Sequence, residues 1–497
     1  MSRRPGGELR NGEALPLEGL PALSADLFVA EVEAALKTGA RLSALLTLPG
    51  RVRGTAPLLA VLSVPESGTL LALRSLPVKR FPSLTPSFPQ AHLFEREIFE
   101  ASGVIPAGHP ALAPVRFPPT AEADPAIGTQ PFFQVEGGEV HEVAVGPVHA
   151  GVIEPGHFRF QCLGEEVLHL GISLGYQHRG VERALREEPP ARALHYAETL
   201  AGDTTIGHAL AHCQAREALA GIQVPARGHA LRAAALELER LANHTGDLGA
   251  MAGDVGFLPT AAFCGRLRGD FLNMTAQLCG SRFGRGMVRP GGTAFDLDSS
   301  GADELRQKLT TALREVAGAV GLLWESGSVR MRFEETGTVS ATRARELGLV
   351  GVAARACGLA RDVRAEFPTG YYRFFQLPVS TSPAGDVFAR AFVRWMEIER
   401  SGEFLLNLLQ SMPAGPVRAE MKEPAAGMLA VSLTEGWRGE ICHVLLTGDG
   451  NRLTAAKVVD PSFHNWTGLA LALRGGQISD FPLCNKSFNL SYCGTDL

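Results

Sequence analysis

Ala230-Leu-Arg-Ala-Ala-Ala-Leu-Glu-Leu-Glu-Arg-Leu-Ala-Asn-His-Thr-Gly-Asp-Leu-Gly-Ala-Met251 carries apolar residues at three-to-four spacing, the signature of a long helix. Gly207 to Ala220, Ala302 to Ser326 and Phe388 to Leu409 repeat that pattern. Upstream of these helices, Val143 to Val145, Phe158 to Gln161 and Glu166 to Gly171 read as strands. Downstream, a β-rich section runs from Leu429 to Val459, with Gly448-Asp-Gly450 as a turn signal. The expected architecture is α+β: a mainly helical bundle with β elements at both ends. Glu237, Glu239 and Arg240 lie on the strongly periodic helix and are expected to form a charged edge facing solvent or another subunit.

The first part of the chain has a different texture. Asp26 to Lys37 reads as a short amphipathic helix, and Leu58 to Val64 and Thr69 to Leu73 as strands joined by the turn Pro65-Glu-Ser-Gly68. Phe81-Pro-Ser-Leu-Thr-Pro-Ser-Phe-Pro89 excludes helix. A helix from about Ala91 to Ser102 follows, with Gly103 placed to cap it. The predicted organisation is a small α+β domain over residues 1–118, a Pro/Ala/Gly-rich linker over 119–139, and the larger domain over 140–497.

Composition narrows the function classes. The 497 residues carry a net charge of −5, which gives no electrostatic footprint for nucleic acid. The first ten residues do not read as a signal peptide, and no apolar run is long enough to span a bilayer. Membrane contact is therefore expected through partners, with the chain itself cytoplasmic. The cysteines, at 162, 213, 264, 279, 357, 442, 484 and 493, contain no Cys-x-x-Cys pair. Structural zinc and iron–sulfur sites usually need such a pair, so buried, reduced thiols are expected. Neither glycine-rich stretch has the strand-and-helix frame of a nucleotide loop. Gly291-Gly292 is expected to form a close-packed turn, and Cys213 to lie in the core.

Four further stretches are informative in combination: Gly146-Pro-Val-His-Ala-Gly-Val-Ile-Glu-Pro-Gly-His-Phe-Arg-Phe160, Leu174-Gly-Tyr-Gln-His-Arg-Gly-Val-Glu182, Glu198-Thr-Leu-Ala-Gly-Asp-Thr-Thr-Ile-Gly-His208, and Glu237-Leu-Glu-Arg-Leu-Ala-Asn-His244. Arg438-Gly-Glu440 and Val459-Asp-Pro-Ser-Phe-His-Asn465 follow near the end. In this order, residues 140–497 resemble the large subunit of nickel–iron hydrogenases, above all the energy-converting type of formate hydrogenlyase. They also resemble the quinone-site subunit of respiratory complex I. Phe81-Pro-Ser-Leu-Thr-Pro86, Phe94-Glu-Arg-Glu97 and Gly103-Val-Ile-Pro-Ala-Gly-His-Pro110 resemble the accessory subunit of the complex I peripheral arm. Both modules fused in one chain is the arrangement of formate hydrogenlyase large subunits.

The departures from that pattern matter most. The resemblance implies a Cys-Gly-Ile-Cys segment where this chain has Ala201-Gly202-Asp203-Thr204, with His208 in register. It implies Asp-Pro-Cys-x-x-Cys where this chain has Asp460-Pro461-Ser462-Phe463-His464-Asn465. The four former nickel-ligand positions are thus Ala201, Thr204, Ser462 and Asn465. Neutral hydroxyl and amide groups do not replace soft thiolates, so no metal and no other cofactor is expected on this chain. Asp203, Thr204, Ser462, His464 and Asn465 offer hard donors for magnesium or manganese, but with only one carboxylate; a hydrogen-bonded polar plug is the favoured reading. The quinone-contacting histidine and tyrosine of the complex I relatives fall at Ile153 and Gly202, which argues against that quinone chemistry.

Glu182 matches a glutamate that passes protons to and from the nickel site in hydrogenases. Two roles stand side by side for it: a proton relay with a raised pKa, or an ion pair with Arg179. Glu154, His157 and His178 belong to the same motifs. The expected site residues are Glu182, His208 and Asp203, as proton relay and cavity lining. The resemblance implies a partner small subunit with an iron–sulfur cluster, a ferredoxin-like subunit and antiporter-like membrane subunits. Three functions remain open: a redox-complex subunit without nickel, an oxidoreductase subunit reducing quinone or another acceptor, and a scaffold. An open apolar channel to Asp203, Thr204 and His208 would favour the second. Filling of the cavity by Phe463 and Trp466 would favour the third.

Overall fold

The computed structural model describes residues 6–50, 52–116, 132–148 and 154–497. In the N-terminal module, strands β1 (Gly7–Leu9), β4 (Arg41–Thr47), β5 (Ala56–Val64) and β6 (Thr69–Val78) form a sheet in the order β1-β6-β5-β4, and β3 (Ala22–Leu23) lies parallel to β6. Helix α1 (Ala25–Lys37) starts where the Ser24 hydroxyl accepts the Leu27 N–H, and it buries Phe28, Val32, Ala35 and Leu36. A parallel pair, β7 (Arg80–Pro82) and β8 (Ile105–Ala107), flanks α2 (His92–Ser102). Gly103 ends α2 at φ 75°, the left-handed conformation expected of it.

The second module begins with the sheet β9 (Val140–Val145), β10 (His157–Leu163) and β11 (Glu166–Ser173), in the order β11-β10-β9. Short helices α3 (Val181–Glu187) and α4 (Pro190–Glu198) lead into α5 (Thr205–Ala220), α6 (Ala226–Asp254) and α7 (Leu258–Cys279). The hairpin β12 (Val288–Arg289) and β13 (Gly292–Thr293) precedes α8 (Ser299–Glu325). Its turn is close-packed as expected, because Gly291 sits at φ 88° with the Ala419 carbonyl against its α-carbon face. Four short helices follow: α9 (Gly327–Phe333), α10 (Ala341–Glu346), α11 (Gly351–Arg355) and α12 (Val363–Glu366). Helix α13 (Val387–Gln410) then returns along α6, and β14 (Met428–Gly436), β15 (Gly439–Thr447) and β16 (Leu453–Val459) make a second sheet. The chain closes with α14 (Pro461–Leu473), α15 (Phe481–Phe488) and α16 (Tyr492–Asp496).

Two features depart from the sequence reading. Helix α6 is buried on every side, so Glu237, Glu239 and Arg240 are interior residues, 0%, 8% and 0% exposed, and not a charged edge. Periodicity shows where apolar groups lie on a helix but not that its polar stripe is covered as well. The two modules are also interwoven. Residues Ala14–Pro16 form β2, which pairs antiparallel with β14 and gives the second sheet the order β16-β15-β14-β2. A single apolar core joins Phe28, Leu59 and Phe94 of the first module to Leu429, Val444 and Phe463 of the second. Across this junction Arg41 on β4 meets Glu440 on β15 in a two-pronged pair of 2.6 and 2.5 Å.

Candidate functional site

The site is built where the α5 N-terminus meets the β14–β15 turn. Thr204 occupies the N-cap position of α5, but its side chain does not cap the helix. The carboxyl group of Glu239, from α6, takes that role and accepts the backbone N–H groups of Ile206 (2.7 Å) and Gly207 (3.1 Å). Gly207 has no room for a side chain, since a Cβ there would lie 2.8 Å from the Ile441 methyl. The loop just before α5 is gripped from β14–β15. Arg438 donates Nη1 to Asp203 Oδ1 (2.5 Å) and Nη2 to Asp203 Oδ2 (2.8 Å). Trp437 donates Nε1 toward the Asp203 carbonyl and the Thr204 hydroxyl, both at 3.1 Å. Burial opposes ionisation of Asp203, but Arg438 outweighs it and holds the carboxyl below its usual range.

His208 lies one turn into α5. Its Nε2 is 3.0 Å from Asp460 Oδ2, and its Nδ1 is 3.2 Å from Nε2 of His443 on β15. With the Asp460 carboxylate as acceptor, His208 carries its proton on Nε2 and accepts from His443. Asp460 also caps α14, its Oδ1 accepting the Ser462 N–H at 2.8 Å. Burial holds His443 well below the usual imidazole range, so it is neutral at pH 7. A line Asp460–His208–His443 therefore runs inward from the loop, and all three side chains are 1% exposed or less.

The four positions where the resemblance implies nickel ligands are engaged within the protein or carry no donor. Ala201 is fully buried and offers no donor atom. Ser462 Oγ accepts the Ser491 N–H (2.8 Å). Asn465 accepts the Val350 N–H (3.1 Å) and donates to the Val350 carbonyl (3.2 Å). Thr204 Oγ1 receives Arg438 and Trp437, each at 3.1 Å. Among the described residues, no group of three His, Cys, Asp or Glu is arranged to hold a metal ion. Phe463 and Trp466 do not cover Asp203: Phe463 packs on Phe94, and Trp466 packs on Tyr492 and Phe158. Trp437 holds the Asp203 carbonyl and leaves its carboxylate a third exposed. A narrow cavity of about 10 Å³ adjoins Asp203 between Ile206, Asn243 and Phe283.

Glu182 lies apart from this group, at the junction of the modules. It accepts Lys457 Nζ and the Val458 N–H, each at 3.0 Å, on the rim of a cavity of about 380 Å³. Lys457 also reaches Glu97 of the first module, which pairs in turn with Arg116. Lys457 and Arg116 outweigh burial and lower the Glu182 pKa, the reverse of the rise that the relay reading called for. Arg179 does not pair with Glu182, because its guanidinium donates to the carbonyls of Thr199 and Leu200, each at 2.9 Å. Ile153 lies outside the described residues; Gly202 sits in the loop before α5. His178 Nδ1 meets the Asp496 carbonyl at 2.8 Å, and His157 lies on β10 beside Phe132. Sequence reasoning missed Arg438, Trp437, His443 and Lys457 as site residues. It also missed Cys493, whose thiol donates to Glu154 at 2.7 Å. None of these has a neighbour in sequence that signals its partner. Cys213 is buried in the core, as expected.

Comparison with known proteins agrees with this arrangement. Residues 254–428 match the family of the respiratory-chain NADH dehydrogenase 49 Kd subunit, and residues 58–128 that of the 30 Kd subunit. Formate hydrogenlyase subunit 5 of Escherichia coli is 30% identical over 440 residues, covering 84% of this chain and 77% of the relative. The carbon monoxide-induced hydrogenase of Rhodospirillum rubrum is 31% identical over 352 residues, 70% of this chain and 97% of the relative. NADH-quinone oxidoreductase subunit 4 of Thermus thermophilus is 29% identical over 369 residues, 69% of this chain and 90% of the relative. The chain belongs to the hydrogenase large-subunit/complex I family and is a subunit of the complex I-like redox type. Among the described residues, no helix is long and apolar enough to cross a membrane.

Proposed function

We propose that this chain lines the cavity beside the terminal iron–sulfur cluster of a partner subunit, in a membrane-attached complex related to complex I and formate hydrogenlyase. It holds no nickel–iron site and no other cofactor. It helps couple electron transfer to proton or sodium movement. One observation carries the reading: no thiolate stands at Ala201, Thr204, Ser462 or Asn465, and the three polar side chains there are already used in hydrogen bonds within the protein. Soft thiolates hold nickel, and this donor set does not fit it.

The chain's own residues then supply structure and proton handling. Asp203, a third exposed in its side chain, is the accessible charge at the loop, and Arg438 fixes its direction. Asp460, His208 and His443 can hold and pass a proton along one hydrogen-bonded line. Glu182 and Lys457 exchange protons with solvent through the cavity between the modules. Further partners are a ferredoxin-like subunit and antiporter-like membrane subunits, which hold the chain peripherally on the inner face of the membrane. Reduction of quinone or another acceptor is the second reading. The cavity at Asp203 is narrow, so that reading requires Phe283 and Arg282 to move aside.

Metal analysis and hydrogen uptake and evolution assays on the intact complex test this proposal. The expected result is no nickel, iron accounted for by partner clusters, and no hydrogen turnover. Stoichiometric nickel with hydrogen activity in this subunit overturns it.

A further inference from the structure

A second set of ionisable groups lies deeper, on the far side of Trp437. Four carboxylates, Glu237, Asp362, Glu397 and Glu435, interlock with three guanidiniums, Arg240, Arg355 and Arg364. Arg355 bridges two of the acids, with Nη1 at 2.7 Å from Glu435 Oε1 and Nη2 at 2.6 Å from Glu397 Oε1. Glu397 Oε2 continues to His244 Nε2 at 2.8 Å, and the His244 ring lies 6.1 Å from that of Trp437. Trp437 is the residue that binds the Asp203 loop.

Guanidiniums do not give up their protons in proteins, so the cluster is one positive charge short. The groups around it do not supply that charge. Arg41 faces Glu435 but is matched by its two-pronged pair with Glu440, while Arg361 and Glu366, the latter pushed up to about 7 by burial, interact with Arg41 and Glu440 and not with Glu435. Arg394 faces His244 and is matched by Asp247. Glu239 faces Arg240 and is held neutral by burial, its pKa pushed up to about 8. Tyr372 donates its hydroxyl to Glu237 and adds no charge. A net negative charge in such a low-dielectric interior favours one added proton.

A route for that proton is visible. Glu435, Arg364 and Tyr372 line a groove of about 40 Å³ together with Thr434 and His229. The Thr434 hydroxyl, 4% exposed, has no hydrogen-bond partner in the protein, nor do Arg355 Nε and His244 Nδ1. Unpartnered polar atoms at such burial mark places where water binds, and the groove has room for it.

We propose that this cluster is a one-proton store, filled from solvent through the groove at Thr434, with the proton held on Glu435. Filling moves one proton from water to a Glu435 carboxylate oxygen, and emptying returns it; no electron moves. Burial and the neighbouring Asp362 raise Glu435 to about 7, while Glu397 stays far below the usual carboxylate range and His244, at about 4, stays neutral. The store adjoins the Asp203–Arg438 site through His244 and Trp437, so a change of charge there alters its occupancy. That last link rests on the function proposed above; the store itself does not.

Infrared difference spectroscopy on the full chain, between about pH 6 and about pH 8, tests the store without any partner subunit. The wild type is expected to show a carboxylic-acid C=O component that Glu435→Gln removes and Glu435→Asp shifts. Bands from Glu239 and Glu366 stay in both variants. Thr434→Val is expected to keep the component but slow its shift on transfer to deuterium oxide. An identical difference spectrum in wild type and a folded Glu435→Gln protein overturns the proposal. If that variant does not fold, an unshifted band in Glu435→Asp overturns it instead.

Discussion

Arg438 and Asp203 are joined by two parallel hydrogen bonds of 2.5 and 2.8 Å, fastening the loop before α5 to the start of β15. Such a fork fixes direction as well as distance, so Asp203 cannot turn away without stranding a guanidinium that is 5% exposed. Asp203→Asn is expected to cost roughly 2 kcal/mol in urea unfolding at pH 7. Because the folded-state pKa of Asp203 lies below its ordinary value, its contribution is present at neutral pH and lost as pH falls through that lowered value. The variant should therefore show a flatter acid limb. Equal acid limbs in both proteins would contradict the assignment.

Arg41 and Glu440 are 3% and 2% exposed and belong to different modules. Removing the cation leaves Glu440 buried and unpaired. Arg41→Ala is expected to destabilise by about 3–5 kcal/mol, with a single cooperative transition kept. Mild acid should partly restore the variant as Glu440 becomes neutral. Two separate thermal transitions in the wild type would show that the junction does not couple the modules.

Glu239 gives the opposite pH dependence. Its folded-state pKa is pushed up to about 8, mainly by burial, from an ordinary 4.5. Between those values the folded chain binds more protons than the unfolded one, so this group makes stability fall as pH rises, by roughly 1.4 kcal/mol per pH unit. Glu239→Gln should remove that slope while keeping an acceptor for the α5 N-terminus. Denaturant midpoints measured across this window decide it.

Ser462 stands where the resemblance implies a metal-binding cysteine, yet its hydroxyl accepts the Ser491 N–H at 2.8 Å in a fully buried setting. Ser462→Ala leaves that N–H without a partner, at a cost of about 1–3 kcal/mol. Hydrogen exchange should rise first in α16. An unchanged rate would mean that the hydroxyl does not hold the tail.

Residues 140–497 expressed without the first module lose β2 from the edge of the second sheet and uncover Leu429, Val444 and Phe463. Exposed apolar surface and an unpaired strand edge favour aggregation. The fragment is expected in the insoluble fraction, with no cooperative transition on refolding. A soluble, cooperatively folding fragment would show that the second module stands alone.

Much of this was legible in the sequence. The strands at Ala56–Val64 and Thr69–Val78, the four long helices and the closing β section appear within a few residues of their expected places. Their signals are local: apolar period, a serine cap, a glycine stop. Helix α7 went unread because arginines and glycines interrupt its apolar stripe, and the stripe is completed only by α6 and α8. The site was legible in part. Asp203 and His208 lie together at the α5 N-terminus, but Glu182 proved to be tied to Lys457, 275 residues away.

The sequence alone determined that no thiolate stands at Ala201, Thr204, Ser462 or Asn465, where the resemblance implies nickel ligands. Donor type is a property of the side chain, and alanine, threonine, serine and asparagine carry no thiolate wherever they fold. It also determined the four periodic helices and the main strands, whose periods reflect backbone geometry. Tertiary structure decided the state of the charges. Whether Glu237 faces water or a buried arginine, and whether Glu182 rises or falls in pKa, depends on burial and on partners brought from other elements. Coulomb interactions and desolvation act through space, and no local pattern in the chain encodes which cation arrives.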